Sequence, residues 1–273
     1  MSELVRHPTG LVGTALLAII ALAVVLGPFV APYDPQAFHP AVRLSGPSMA
    51  HWLGTDQFGR DILSRLLTGA GPTILFGVGA TALGVLAGSI IGVTAAVAGG
   101  WVDSVIMRTL DGLLAVPDLL FTLLIVTILG GGIGEAMLAV SVAFTPGMAR
   151  IARSSVLSIR TREYILAAIA RDESQAYIIF HEVIPNAIGP IIVEATIRVS
   201  FAIMIGATLG FLGLGAQPPS TEWGLMVAEA RQYMYRSPWV VAVPGIAIAI
   251  AALGFNLFGD ALRDVFDPRS RRS

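Results

Sequence analysis

The 273-residue sequence has no cysteine and no lysine; all 17 basic residues are arginine. Without cysteine there is no disulfide and no thiolate metal site. Without lysine there is no standard P-loop, because that motif needs its lysine to reach the phosphates of a nucleotide. If ATP drives this protein, another chain binds the ATP. Charge is also scarce: Asp, Glu, Lys and Arg make up 13% of the residues, about half the share usual in a soluble chain. What is there instead is apolar. Hydrophobic residues reach 55% and the mean hydropathy is +0.78, which places the chain among integral membrane proteins.

A bilayer core about 30 Å thick takes roughly 20 mostly apolar residues as helix. Six windows answer to that length: 11–30, 73–98, 113–130, 135–150, 187–212 and 239–258. The fold class expected is therefore all-α, a polytopic membrane protein with six transmembrane helices. The first window is too long for the apolar part of a cleaved leader, so it is taken as a retained span. Pro28, Pro32 and Pro35 stop it. Pro117 and Pro146 predict kinks in the third and fourth windows. Glycines recur at 77, 84, 88 and 92 in the second. Either they admit a close neighbouring helix, or they reflect the general abundance of glycine in spans. Glu194 and Arg198 lie four apart in the fifth window, where one helix face lets them neutralise each other.

Arginine placement sets the expected orientation. With a cytoplasmic N-terminus, eleven arginines fall on the inside, five on the outside, and Arg198 stays within a span. Both termini are then cytoplasmic. The chain divides into 1–72 (N-terminus, first span and external segment), 73–260 (the transmembrane core, with a cytoplasmic loop at 161–185) and 261–273 (a cytoplasmic tail).

That loop contains "EYILAAIARDESQAYIIFHEVIP", two short helical patterns in an otherwise oily chain. Thr161 is placed to cap the first helix, and Glu163 in its first turn suits the helix dipole. Ile165, Ala168 and Ile169 are expected on one face. Asp172 and Gln175 have capping-box spacing, so Asp172 is expected to end one helix and start the next. Pro185 and Gly189–Pro190 are expected to close the second helix before the fifth span. Ala167 and Ala168 make a narrow ridge that fits a groove on a partner. A helix lying in the lipid headgroups is the other possibility.

The stretch resembles the EAA loop of inner-membrane permeases of ABC transporters, whose pattern Glu163, Ala167, Ala168, Ile184 and Pro185 match. "HWLGTDQFGRDILSRLLTGA" (51–70), "FLGLGAQPPSTEWGLM" (211–226) and "GFNLFGDALRDVFDPR" (254–269) resemble further signatures of the peptide and nickel branch, in the same order along the chain. The stretches at 51–70 and 254–269 point to the C-type subunit of a dipeptide or oligopeptide importer. The resemblance implies a transport subunit that catalyses no bond chemistry and holds no cofactor. It implies a second homologous permease as heterodimer partner, two cytoplasmic ATP-binding subunits and an extracytoplasmic substrate-binding protein. Glu163, Tyr164, Ala167, Ala168 and Asp172 would form the ATPase coupling contact. Gly54, Thr55, Asp56, Gly59, Arg60 and Asp61 are the external signature. Two departures stand out. Asp172 holds the family's glycine position, either making the same bend differently or weakening the contact. Gly206 stands where the family commonly has a glutamate.

The external signature offers Asp56–Arg60 and Asp61–Arg65 at helical spacing, which predicts a helix along the membrane surface. Either it forms a platform for the binding protein or it packs as a girdle on the partner subunit. Trp223 is expected at the membrane interface. Nickel or another small solute is the alternative cargo. A stand-alone channel or ion-coupled carrier is the alternative class, and only Asp118 and the Glu194–Arg198 pair offer it ionisable groups. "HEVIP" lacks the second histidine of a zinc-protease helix. "FGD" lacks the glycine of an intramembrane aspartyl protease, and no surface suits nucleic acid.

Overall fold

The computed structural model describes residues 8–266, and all regular structure among them is helical. The expected roles of Arg6, Arg269, Arg271 and Arg272, and of most of the tail, lie outside these residues. Helix α1 (Pro8–Val30) is followed by an irregular segment. Then come α2 (Ile62–Ala98), α3 (Gly100–Leu114), α4 (Asp118–Leu129), α5 (Ile133–Arg160) and the short α6 (Glu163–Ala170). One turn, α7 (Gln175–Tyr177), leads through a π-helical stretch (Ile178–Val183) into α8 (Ile184–Phe211). Helices α9 (Trp223–Ala230) and α10 (Trp239–Phe266) complete the fold.

Four helical runs are long and apolar enough to cross a membrane: Thr9–Val30, Ile62–Ala98, Gln175–Phe211 and Trp239–Phe266. The expected six are thus not all realised as straight apolar rods. The third window is broken rather than kinked. Pro117 precedes α4, and α3 and α4 meet at 90°. Proline disfavours helical backbone in the residue before it and has no N–H to give. Counted as one bent span, α3 and α4 bring the total to five. The fourth window lies within α5, which is 28 residues long and continuous through Pro146. Its charges exclude it from the apolar set, and packing explains why it tolerates them. Ala136, Ala139, Val140, Met148, Ala149 and Ala152 are buried against neighbouring helices, so protein rather than lipid covers much of its surface.

The seam between α2 and α5 is where the glycines act. A Cβ on Gly88 would lie 2.6 Å from the Thr145 carbonyl oxygen, and one on Gly84 would lie 2.8 Å from that of Ser141. One on Gly92 would collide with the Ala149 carbonyl. Close backbone approach, not mere abundance, is therefore what these positions supply. A second contact involves Gly206 of α8. A side chain there would collide with the Phe76 ring of α2, which fills the space instead.

Three apolar clusters divide the interior. Ile20, Ile62, Ile74, Ile203 and Val240 join α1, α2, α8 and α10. Phe76, Val126, Val140, Phe144 and Leu209 join α2, α4, α5 and α8. Ala96, Val156, Ile159, Val183 and Ala187 gather beneath α6 around its Ile165.

Two boundaries differ from expectation. Helix α2 starts at Ile62, not near residue 73, because Asp61 caps it: its Oδ2 accepts from Ser64 N at 2.8 Å. The helical run into α8 does not close at Pro185. The π-helical stretch shifts the bonding so that Ile184 N donates to Ile179 O, and the chain passes through Pro185 and Pro190 without ending. Proline lacks the N–H of an ordinary turn, and a local π adjustment re-satisfies the backbone around it.

Candidate functional site

Loop 161–185 is built on the end of α5. Arg160 reaches across to α2, donating from Nη1 to the Ala96 carbonyl at 2.8 Å. Thr161 turns back, its hydroxyl donating to Ser158 O at 2.9 Å, so it does not cap α6. The N-cap is Arg162, in extended conformation and with no side-chain bond. Ile165 and Ala168 face inward and are fully buried, whereas Ile169 is 56% exposed and leaves the face expected for it. Glu163, Tyr164, Leu166 and Ala167 are exposed. Ala168 therefore supports the ridge from beneath and is not on its outer surface.

The end of α6 is specified by backbone geometry. Glu173 N donates to Ala168 O at 3.2 Å and Asp172 N to Ile169 O at 2.9 Å. Asp172 has φ +58°, the left-handed conformation of a helix-terminating Schellman motif. The position where the family has glycine is thus one where glycine's freedom is used, and Asp172 adopts it nonetheless. It does not start the next helix. Ser174 does, accepting from Tyr177 N at 3.2 Å. A cleft of about 290 Å³ separates α6 from the π-helical stretch, lined by Ile165, Ile169, Asp172, Glu173, Ile178 and Val183.

The external signature folds as a tight loop, not as a surface helix. Gly54 and Gly59 hold φ +79° and +77°. Any side chain at Gly59 would collide with the His39 carbonyl. Asp56 Oδ1 accepts from Phe58 N at 2.8 Å and Arg60 N at 2.9 Å, while its Oδ2 takes Arg60 Nε at 2.6 Å. The expected Asp61–Arg65 pair does not form, because Asp61 is occupied by Ser64 and by His51 Nδ1 at 2.9 Å. Arg65 turns instead to Asp56 at 3.3 Å and to Glu229 at 3.1 Å. Glu229, on α9, also takes Arg60 Nη2 at 2.7 Å. Two arginines and two carboxylates thus balance inside the protein. Arg60 lies over the Phe58 ring, 4.7 Å from its centroid. Thr55 is fully buried; its hydroxyl donates to Val42 O and accepts from Ser45 N.

Sequence reasoning missed Glu229, which sits 169 residues from Arg60 with no local pattern to mark it. It also missed Glu222. That carboxylate caps α9, accepting from Gly224 N at 2.9 Å and Leu225 N at 2.8 Å. Burial raises its pKa above the ordinary value, and those two backbone bonds together with Thr73 oppose the rise. Trp223 is buried within the protein: its Nε1 donates to Leu66 O at 2.9 Å and its own N–H to Thr73 Oγ1 at 3.1 Å.

Of the span charges, Glu194 and Arg198 do pair, at 3.1 Å. Asp118 opens α4 immediately after the break at Pro117. Two further ion pairs, Arg153–Asp103 and Arg150–Asp111, tie α5 to α3.

Comparison with known proteins places this geometry. Residues 1–47 match the family model described as the N-terminal TM domain of oligopeptide transport permease C. The chain is 39% identical over 269 residues to the dipeptide transport system permease protein DppC of Alkalihalophilus pseudofirmus, covering 98% of this chain and 88% of that one. It is 40% identical over 263 residues to the probable D,D-dipeptide transport system permease protein DdpC of Escherichia coli, covering 96% and 88%. Among solved structures, an inward-facing form of the MetNI methionine ABC transporter matches in fold, with TM-score 0.61 at 18% identity over 74% of this chain and 96% of that one. Residues 84–272 match the model described as binding-protein-dependent transport system inner membrane component, and it is to this family of ABC transporter permeases that the chain belongs.

Proposed function

We propose that this chain is one of two permease subunits of an importer for di- or oligopeptides in the cytoplasmic membrane. Both termini lie in the cytoplasm, two ATPase subunits dock below, and a substrate-binding protein delivers cargo from outside. As a member of a permease family the chain is a transport component, not an enzyme. The peptide assignment rests on relatives named for dipeptide, D,D-dipeptide and di/tripeptide transport. The heterodimer, the orientation and the docking residues rest on the resemblance of loop 161–185 to the family's EAA loop and on arginine placement.

The observation that carries the mechanism is the outward ridge of α6. Eight residues form a helix with only Ile165 and Ala168 buried beneath it, and Glu163, Tyr164 and Ala167 turned away from the chain. A short helix so presented fits a partner groove. Its end is fixed by Asp172, and it continues through the π-helical stretch into α8, a span. When the ATPases close on ATP, a push on α6 is delivered to α8, and the spans move from one access state to the other.

Ala167→Trp tests this. The indole enlarges the ridge without entering the core, so the chain inserts and folds normally but recovers its ATPase at most about one-tenth as well in a mild-detergent pull-down, the loss expected for ~1.4 kcal/mol at an interface. Full ATPase recovery with coupled transport would remove α6 as the docking element.

A further inference from the structure

The Glu194–Arg198 pair is charge placed where lipid would reject it. Glu194 lies about 15 Å along α8 from Ile184 and about 26 Å from Phe211 by helical rise, so both charges sit within the span. Neither is sealed by this chain: the Glu194 side chain is 31% accessible and that of Arg198 16%. An accessible carboxylate at that depth faces water or protein, not acyl chains.

The pair is also held in place. Arg198 lies over the Phe144 ring of α5, 5.2 Å from its centroid. Its terminal nitrogens rest against Gly147, where a Cβ would stand 2.5 Å from Nη2. Gly147 therefore makes room for the guanidinium. Only Arg198 Nε bonds to only Glu194 Oε1. Among the described residues the other guanidinium nitrogens and the second carboxylate oxygen make no side-chain hydrogen bond, so the pair keeps hydrogen-bonding capacity. Along α8, Phe201 continues the same face and is 53% exposed. On α5, Arg150 and Ser154 are exposed on the side of Gly147 towards loop 161–185. A polar strip thus runs from the loop to the pair.

We infer that this face of α8 lines the aqueous path of the cargo, and that Arg198 and Glu194 meet the charged ends of a peptide as it passes. The inference rests on the proposed importer function and adds a contact site to it. A free peptide is a zwitterion. Its carboxylate matches the guanidinium and its ammonium matches the carboxylate, so each end exchanges one charged partner for another. Because the pair is neutral as a whole, it offers a waypoint without trapping cargo of one sign.

Because this chain has no cysteine, an introduced thiol is the only one it carries, and labelling is read on this chain after the subunits are separated. Phe201→Cys and, as a lipid-facing control, Ile19→Cys in the exposed middle of α1 are placed separately in the full transporter in membrane vesicles. The probe is a charged, membrane-impermeant methanethiosulfonate reagent, applied with and without L-alanyl-L-alanine under turnover. Phe201→Cys is expected to react faster than Ile19→Cys, with the dipeptide slowing it. Equal rates would overturn the aqueous path. Faster reaction without protection would overturn the peptide contact.

A second variant reads the pair itself. Arg198→Gln should raise the KM for dipeptide uptake about ten-fold, the scale of a lost charged hydrogen bond, with partial rescue by Arg198→Lys. An unchanged KM with reduced complex yield would assign the pair a purely structural role. If ATPases fail to co-purify with the unaltered chain, the importer reading fails. If they do co-purify and uptake is measured, negative labelling removes only the present inference.

Discussion

Loop 161–185 and the external segment 31–61 are both polar inserts between spans, yet they use charge in opposite ways. In the loop, Glu163 and its neighbours face away from the chain, and only two side chains of α6 are buried. In the external segment, Asp56, Arg60 and Asp61 are all buried and bonded to one another, to α9 or to the start of α2, where Arg65 is buried with them. A motif rich in charge is therefore not by itself a binding surface. The first insert leaves its polar groups exposed, where the proposed ATPase contact would use them; the second satisfies them internally and ties α9 to the start of α2.

The largest effect that would break this contrast is expected in the external cluster. Arg65→Ala leaves Asp56 and Glu229 short of a buried partner, and breaking such a pair costs roughly 3–5 kcal/mol. A thermal melt of the complex in detergent should show a marked fall. A melt equal to that of the unaltered protein would mean that water already satisfies the cluster. The Ala167→Trp substitution of α6, by contrast, should lower ATPase recovery and leave the melt where it was.

Next comes the pH response at the start of α9. Glu222 has a pKa raised above its ordinary value of 4.5, chiefly by burial. The folded state thus holds this proton more tightly than the unfolded state. Its stabilising contribution is complete below about pH 4.5 and is lost as pH rises through the raised value. Glu222→Gln keeps an acceptor for the α9 amides but cannot ionise. Melts across that window should lose the part of the downward slope that Glu222 supplies. An unaltered slope would place the titration elsewhere.

The smallest effect sharpens the contrast from the side of the loop. Asp172→Gly relieves a side chain from left-handed backbone and should stabilise the end of α6 by up to about 1 kcal/mol. Hydrogen exchange of the amides of 168–173 should slow, with ATPase recovery unchanged. Faster exchange would mean that the Asp172 side chain, not the backbone turn, holds the helix end.

How far the sequence carried the structure depended on the range of the interactions involved. Apolar runs located α1, α2, α8 and α10, because a span is a local property of composition. The break at Pro117 was signalled, but not its size, since the 90° turn is set by what α3 and α4 pack against. The buried fourth window was readable only as borderline, because α5 is sheltered by helices distant in sequence. In the loop, the helix and the importance of residue 172 were legible. The N-cap positions expected at Thr161 and Asp172 fall instead on Arg162, which makes no side-chain cap, and on Ser174, which does, for local spacing permits several caps and geometry selects one.

The sequence by itself determined that this is a helical membrane protein that cannot bind ATP through a lysine-bearing P-loop, and its motifs placed it among importer permeases. Those are statements about composition and short patterns, which need no knowledge of neighbours. Tertiary structure alone decided which charges are spent inside and which remain available. Glu229 comes to Arg60 from 169 residues away, Phe76 fills the space beside Gly206, and Gly147 opens room for Arg198. Each depends on two segments distant in sequence meeting at one depth and one rotation, and that is fixed by the packing of the whole bundle, not by any stretch within it.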